Sequence, residues 1–241
     1  MSVDSSSRQW LQRLMPRTEW GIIASIVVMV LALLVPPYLF SAVAGDIIQI
    51  LPIGINSKLS IAHISITLAT IGVIIGALAV YGKNLKTIGL GRPTAVHAGR
   101  ALAGFAVYFA ITVVLAMLAQ ALTNIDQEQA QNIGYRNLAS VEFAAAFVSL
   151  VVLTPLAEEL LFRGFMFQGF RRRLPFWAAA IGVSALFGLV HGQWNVGLDV
   201  FAMSLVSCYL VEKSGSLWPS IFLHMYKNGV AFWLLYIYNG G

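Results

Sequence analysis

The stretch FAAAFVSLVVLTPLAEELLFRGF, residues 143–165, decides how the rest of the chain is read. From Phe143 to Pro155 there is no charge; Glu158, Glu159 and Arg163 then follow inside sequence that is otherwise apolar. A charged side chain near the centre of a bilayer costs about 2.5–3.5 kcal/mol on insertion scales. Three of them in one span need a reason. Glu159 and Arg163 are i and i+4, share a helical face and can pair. Glu158 is turned about 100° from Glu159 and points elsewhere. The pattern suggests one glutamate held by arginine and another free to act.

The whole chain fits a membrane setting. Of 241 residues, 59% are hydrophobic and 10% charged, and mean hydropathy is +0.80; soluble domains run roughly 45–50% apolar and about 25% charged. The expected fold is an all-α polytopic transmembrane bundle of about seven helices. The net charge of +5 does not point to nucleic acid, because the cations sit at segment ends, where topology uses them. Cys208 is the single cysteine, which rules out an intrachain disulfide or a cysteine metal cluster. It reads as a packed apolar side chain. Arg13 and Arg17 precede an apolar run, and Ala42-Val43-Ala44 mimics a cleavage site. The run is too long for a signal-peptide core, so retention is expected.

Seven segments are apolar enough to be membrane helices of roughly 20 residues: 21–44, 61–82, 101–122, 141–163, 176–191, 196–211 and 216–238. The fourth continues to about 173. The fifth and sixth are short. The stretch 45–60, with Pro52, Gly54 and Asn56, either lies along the interface or hides part of an eighth helix. Residues 1–20 form an N-terminal segment, 21–140 the first helices and 141–241 the core expected to carry the chemistry. Arg8, Arg13, Arg17, Lys83, Lys86, Arg92, Arg100, Arg171–Arg173 and Lys213 fall on one side, against Lys58 and Arg136 on the other. This alternation places the N-terminus in the cytoplasm and the C-terminus outside. Gly72 and Gly76 form a GxxxG pair, expected to pack within the molecule.

More polar residues stand in the last helices. His191 ends the fifth segment in FGLVHG, one turn after Phe187. His224 and Asn228 share a face in HMYKN, with Lys227 beside them and free to point elsewhere. Glu158 lies 17 residues before Pro175 and His191 lies 16 after it, both about 25 Å from the turn at 1.5 Å per residue. His224 and Asn228 follow the turn near Ser214-Gly215 by roughly 14–20 Å. Two carboxylates, two imidazoles and an amide can therefore meet in one pocket. A carboxylate in low dielectric is a stronger base than in water. It can take a proton from water and return it to a leaving amine. Imidazole can orient the water, and amide or imidazole N–H groups can meet a developing oxyanion. Asp199, near a segment end, is expected to lie at the interface or cap a helix.

At these residues the sequence resembles a known family, the CPBP intramembrane proteases related to type II CAAX prenyl endopeptidases and bacteriocin self-immunity proteins. The motifs EExxxR, FxxxH and HxxxN stand here as Glu158-Glu159-Leu-Leu-Phe-Arg163, Phe187-Gly-Leu-Val-His191 and His224-Met-Tyr-Lys-Asn228. They span about 141–232; the first three helices show only general likeness. The resemblance implies peptide-bond hydrolysis within the membrane. Glu158 would be the base, His191 would help activate water, and His224 and Asn228 would stabilise the oxyanion or position substrate. Glu159 and Arg163 would support them, with Phe187 behind. Two histidines and a glutamate can hold zinc, but the resemblance favours water activated by glutamate without a metal.

HExxH is absent, Gly197-Leu-Asp199 has the wrong spacing for GxGD, and Gly182-Val-Ser184-Ala fails the last position of GxSG. The rival reading is a non-catalytic peptide-binding immunity or scaffold protein, or a transporter using the same polar cavity. A transporter more often shows inverted repeats with broken helices, and none is visible. The expected partners are a peptide or membrane-protein substrate and the lipid bilayer, not nucleic acid. The expected location is a prokaryotic cytoplasmic membrane. Oligomeric state is not legible.

Overall fold

A computed structural model describes residues 18–122 and 134–238. Arg8, Arg13 and Arg17, and the rest of the first 17 residues, lie outside that range. The described residues form seven helices and no strand. In a bilayer every backbone N–H and C=O must be satisfied within the segment, and helices do this without partners. The chain is thus an all-helical membrane bundle.

Helix α1 runs Ile22–Ile50 and takes Pro36 and Pro37 inside it. It ends at Leu51, whose ψ of 135° is extended, as a residue preceding a proline prefers. Helix α2 runs Ile55–Val80. The stretch 45–60 is therefore shared between the end of α1 and the start of α2, and no eighth helix lies there. Helix α3, Ala95–Leu122, begins six residues earlier than hydropathy indicates. Thr94 Oγ1 accepts from the His97 N–H at 3.4 Å, which caps the first turn.

Helix α4 is one rod from Ser140 to Arg171, 32 residues or about 48 Å, longer than the roughly 30 Å of hydrocarbon. It widens to a π-helix at Val148–Leu153 and again at Leu160–Phe167. Helix α5 is Phe176–Leu189 and α6 is Trp194–Ser214. Helix α7 is Trp218–Trp233, continued by a π turn to Tyr238. Five of the seven are long and apolar enough to cross a membrane: α1, α2, α3, α4 and α6. The sixth segment is thus longer than its sequence reading, at 21 residues. The fifth is short as expected: 14 residues span about 21 Å, less than the hydrocarbon thickness, and the chain reverses at His191–Gln193. Gly188 and Gly197 make the close contact that seals this hairpin. A Cβ on Gly188 would stand 2.8 Å from the Gly197 carbonyl oxygen.

The basic segments gather at one end. Lys83 pairs with Glu19 at 2.8 Å, and Arg171 with Glu212 at 2.6 Å. Arg172 donates to the Glu19 carbonyl, and Leu217 N–H to Gly89 O at 3.0 Å. The other end is tied by Asn56, which donates to Arg136 O at 2.7 Å and accepts from its N–H at 3.2 Å.

Helix α4 is central: every residue from Leu160 to Phe170 is buried. Trp20 stacks on Phe165 at 4.4 Å and donates from its indole N–H to Phe165 O at 2.9 Å, meeting a carbonyl of the second π stretch. By contrast α2 and α3 bury only 17% of their apolar spans, as helices facing lipid can. The GxxxG expectation is overturned. A Cβ on Gly72 or Gly76 would meet nothing within 4 Å, so this stripe packs against no described residue.

Candidate active site

The three sequence motifs converge on the C-terminal half of α4. Glu159 and Arg163 are both fully buried, with Arg163 Nη1 3.1 Å from Glu159 Oε1. This is a close ion pair rather than an aligned hydrogen bond, since no guanidinium nitrogen finds a hydrogen-bond acceptor among the described residues. The guanidinium carbon instead lies over the Phe187 ring, 4.5 Å from its centre. Cation–π contact of this kind is strongest where water is excluded. Phe187 is a hub: its ring also meets Phe162 at 4.7 Å, His191 at 4.9 Å and His224 at 6.0 Å, each edge-on.

His224, from α7, reaches both glutamates. Its Nδ1 is 2.9 Å from Glu159 Oε1 and its Nε2 is 3.5 Å from Glu158 Oε2. A carboxylate engaged with arginine only accepts, so the Nδ1 position carries the proton and Nε2 faces Glu158. Glu159 is fully buried, whereas Glu158 keeps 29% of its side chain exposed. The 100° between neighbours on α4 thus becomes a difference of environment.

Glu158 opens into a cavity of about 340 Å³ whose polar lining includes His63, His191, His224, Lys227 and Asn228. A larger concavity of about 440 Å³ between α5 and α6 is apolar and holds none of these groups. The smaller one therefore gathers the polar side chains that the motifs supply. His191 sits on the α5–α6 reversal, with Nδ1 2.7 Å from Phe187 O, which leaves Nε2 for the cavity. Asn228 donates from Nδ2 to Leu150 O at 2.9 Å. Leu150 belongs to the first π stretch, where a widened turn loosens carbonyls from the ladder.

Lys227 lines this same cavity instead of pointing away. Its Nζ is 3.2 Å from Asp199 Oδ2. Asp199 does not cap a helix. It stands inside α6 and accepts from Tyr108 OH at 2.5 Å and Thr112 Oγ1 at 3.5 Å. His63 of α2 has Tyr135 OH 3.5 Å from its Nδ1. Sequence reasoning missed Lys227 and His63 as cavity residues. The available signal was that each is an ionisable side chain within an apolar helix. Cys208 is fully buried, a packed side chain as expected.

No three His, Cys, Asp or Glu side chains among the described residues gather as a metal's ligands would. Zinc therefore does not fit the donors as they stand, and no chemical step is assigned to it.

The family model described as type II CAAX prenyl endopeptidase Rce1-like matches residues 140–230. An "Uncharacterized 24.3 kDa protein" of Escherichia coli is 35% identical over 83 residues, 32% of this chain and 38% of that one. A Bacillus subtilis protein described as "Putative membrane peptidase YdiL" is 29% identical over 77 residues, 32% of either chain. The chain thus spans about a third of the length of these curated relatives. No solved structure matches. The matched segment runs from the start of α4 to the middle of α7 and holds every side chain that the three motifs named. By these motifs and this match, residues 140–230 are similar to the Rce1-like type II CAAX prenyl endopeptidases.

Proposed function

We propose that this chain is an intramembrane endopeptidase that hydrolyses peptide bonds of membrane-associated substrates with water activated by Glu158. The observation that carries it is His224 set between two glutamates of unlike burial, 2.9 Å from Glu159 and 3.5 Å from Glu158. A structural ion pair has no use for a second, half-open carboxylate on the far nitrogen.

A water between Glu158 and the imidazoles gives a proton to the Glu158 carboxylate as its oxygen adds to the substrate carbonyl carbon. The carbonyl π electrons move to oxygen, and the free N–H of the Asn228 amide is available to meet that charge. As the oxyanion collapses, the C–N bond breaks and Glu158 returns the proton to the amine nitrogen. The products are a new carboxyl and a new amine. Glu159 and Arg163 position His224, and Phe187 packs between the two histidines and the guanidinium. His191 Nε2 helps hold the water. The membrane supplies the dry surroundings in which these dipoles act strongly.

The test is incubation of purified protein with quenched peptides and membrane-protein fragments, wild type beside Glu158→Gln. Cleavage by the wild type and none by the variant is expected. A variant as active as the wild type removes Glu158 from the role.

A further inference from the structure

We infer that Lys227 is a catalytic residue of this reaction, its ammonium donating to the substrate oxygen that becomes the oxyanion. The inference rests on the peptidase reading above.

The donors in the cavity can be counted. His224 has one nitrogen on Glu159 and the other toward Glu158. His191 has one nitrogen on Phe187 O. Asn228 uses one of its two amide hydrogens on Leu150 O. Among the motif residues one amide N–H remains, and the other lining donors, His63 and the Thr67 and Thr154 hydroxyls, carry no fixed positive charge; a tetrahedral oxyanion in low dielectric is best met by a cation. Lys227 is the sole lysine or arginine in the cavity lining. One ammonium hydrogen suffices for Asp199, and two remain.

Its placement suits the task. Glu158 belongs to α4, whereas Asp199 draws Lys227 toward α6. Base and cation therefore approach a bound peptide from different helices: water is activated on the α4 side and the carbonyl oxygen turns toward α6. Asp199 is itself tethered to α3 through Tyr108 and Thr112, so the lysine's post is rigid. The side chain of Lys227 is 16% exposed, dry enough for its charge to act strongly on a developing anion. Lys227 keeps its proton throughout; the carbonyl π electrons move to oxygen under its field and return when the C–N bond breaks.

The experiment uses the full chain in detergent, with Lys227→Met, Lys227→Arg and the double variant Lys227→Met/Asp199→Asn. Peptides with free and with amidated C-termini are the substrates. A peptide carrying a phosphinate in place of the scissile amide is the tetrahedral anion probe. Lys227→Met should lower kcat about 10²–10³-fold on both substrates, leave KM little changed and weaken phosphinate binding. Lys227→Arg should recover part of the loss. The double variant, which removes both charges, should regain thermal stability without regaining kcat. Wild-type kcat or wild-type phosphinate binding in Lys227→Met overturns the inference. A loss confined to KM of free-acid peptides also overturns it, and makes Lys227 an anchor for a terminal carboxylate. Recovery of kcat together with stability in the double variant overturns it in favour of a structural ion pair. Glu158→Gln, measured in parallel, separates the two readings. If it is inactive while Lys227→Met is not, only the Lys227 inference falls. If it cleaves normally, the base assignment falls. A wild type that neither cleaves peptides nor binds the phosphinate overturns both.

Discussion

His224 Nδ1 lies 2.9 Å from Glu159 Oε1, and that same oxygen is 3.1 Å from Arg163. One buried oxygen thus orients an imidazole on α7 and balances a guanidinium on its own helix. The arrangement ties α4 to α7 at the depth of the cavity and turns the free edge of the imidazole to Glu158. The two adjacent glutamates consequently have different surroundings.

Glu158→Gln keeps the shape of a partly exposed side chain and removes the base that we propose. Cleavage should fall about 10²–10⁴-fold, while the thermal unfolding midpoint in detergent stays close to wild type. Dialysis against a strong chelator should leave the wild-type rate intact. Activity that vanishes with the chelator and returns with zinc would reassign the water to a metal.

Glu159→Ala should behave differently, because it strands Arg163 in a dry interior. Removing one partner of a buried pair costs about 3–5 kcal/mol, so the unfolding midpoint should drop along with activity. Arg163→Ala should do the same. The double variant should recover part of the stability but not the activity, since His224 still lacks its partner. Additive losses in this cycle would show the pair to be uncoupled.

Gly188→Ala should be destabilising out of proportion to one methyl group. Its Cβ would stand 2.8 Å from the Gly197 carbonyl oxygen, a contact that only a shift of α5 against α6 relieves. His191 lies three residues on, so the cleavage rate should fall with the unfolding midpoint. A variant that matches the wild type in both would mean that the hairpin yields freely.

Reporter fusions at residues 90, 130, 172 and 241 should read inside, outside, inside and outside. The motive is the Lys and Arg alternation, together with the tying of Glu19, Lys83 and Arg172 at one end of the bundle. The same reading at 130 and 172 would refute this orientation.

The sequence by itself determined the class of fold and the identity of the motif residues. Apolar runs of the right length can only be helices in lipid, and a charge inside such a run needs a partner, so Glu158, Glu159, Arg163, His191, His224 and Asn228 declared themselves. The i, i+4 spacing also anticipated the Glu159–Arg163 pair. Periodicity stops there, because it gives the angle of a side chain about its own helix and not the neighbour it meets. Only the tertiary structure decided that His224 joins the two glutamates, that Asn228 holds a carbonyl of α4, and that Lys227 and His63 share the cavity. It also decided the two π stretches of α4. Carbonyls in them meet donors brought from elsewhere in the chain, Trp20 on Phe165 and Asn228 on Leu150. A local sequence pattern does not encode bonds between groups that lie 145 and 78 residues apart; packing of the helices against one another does.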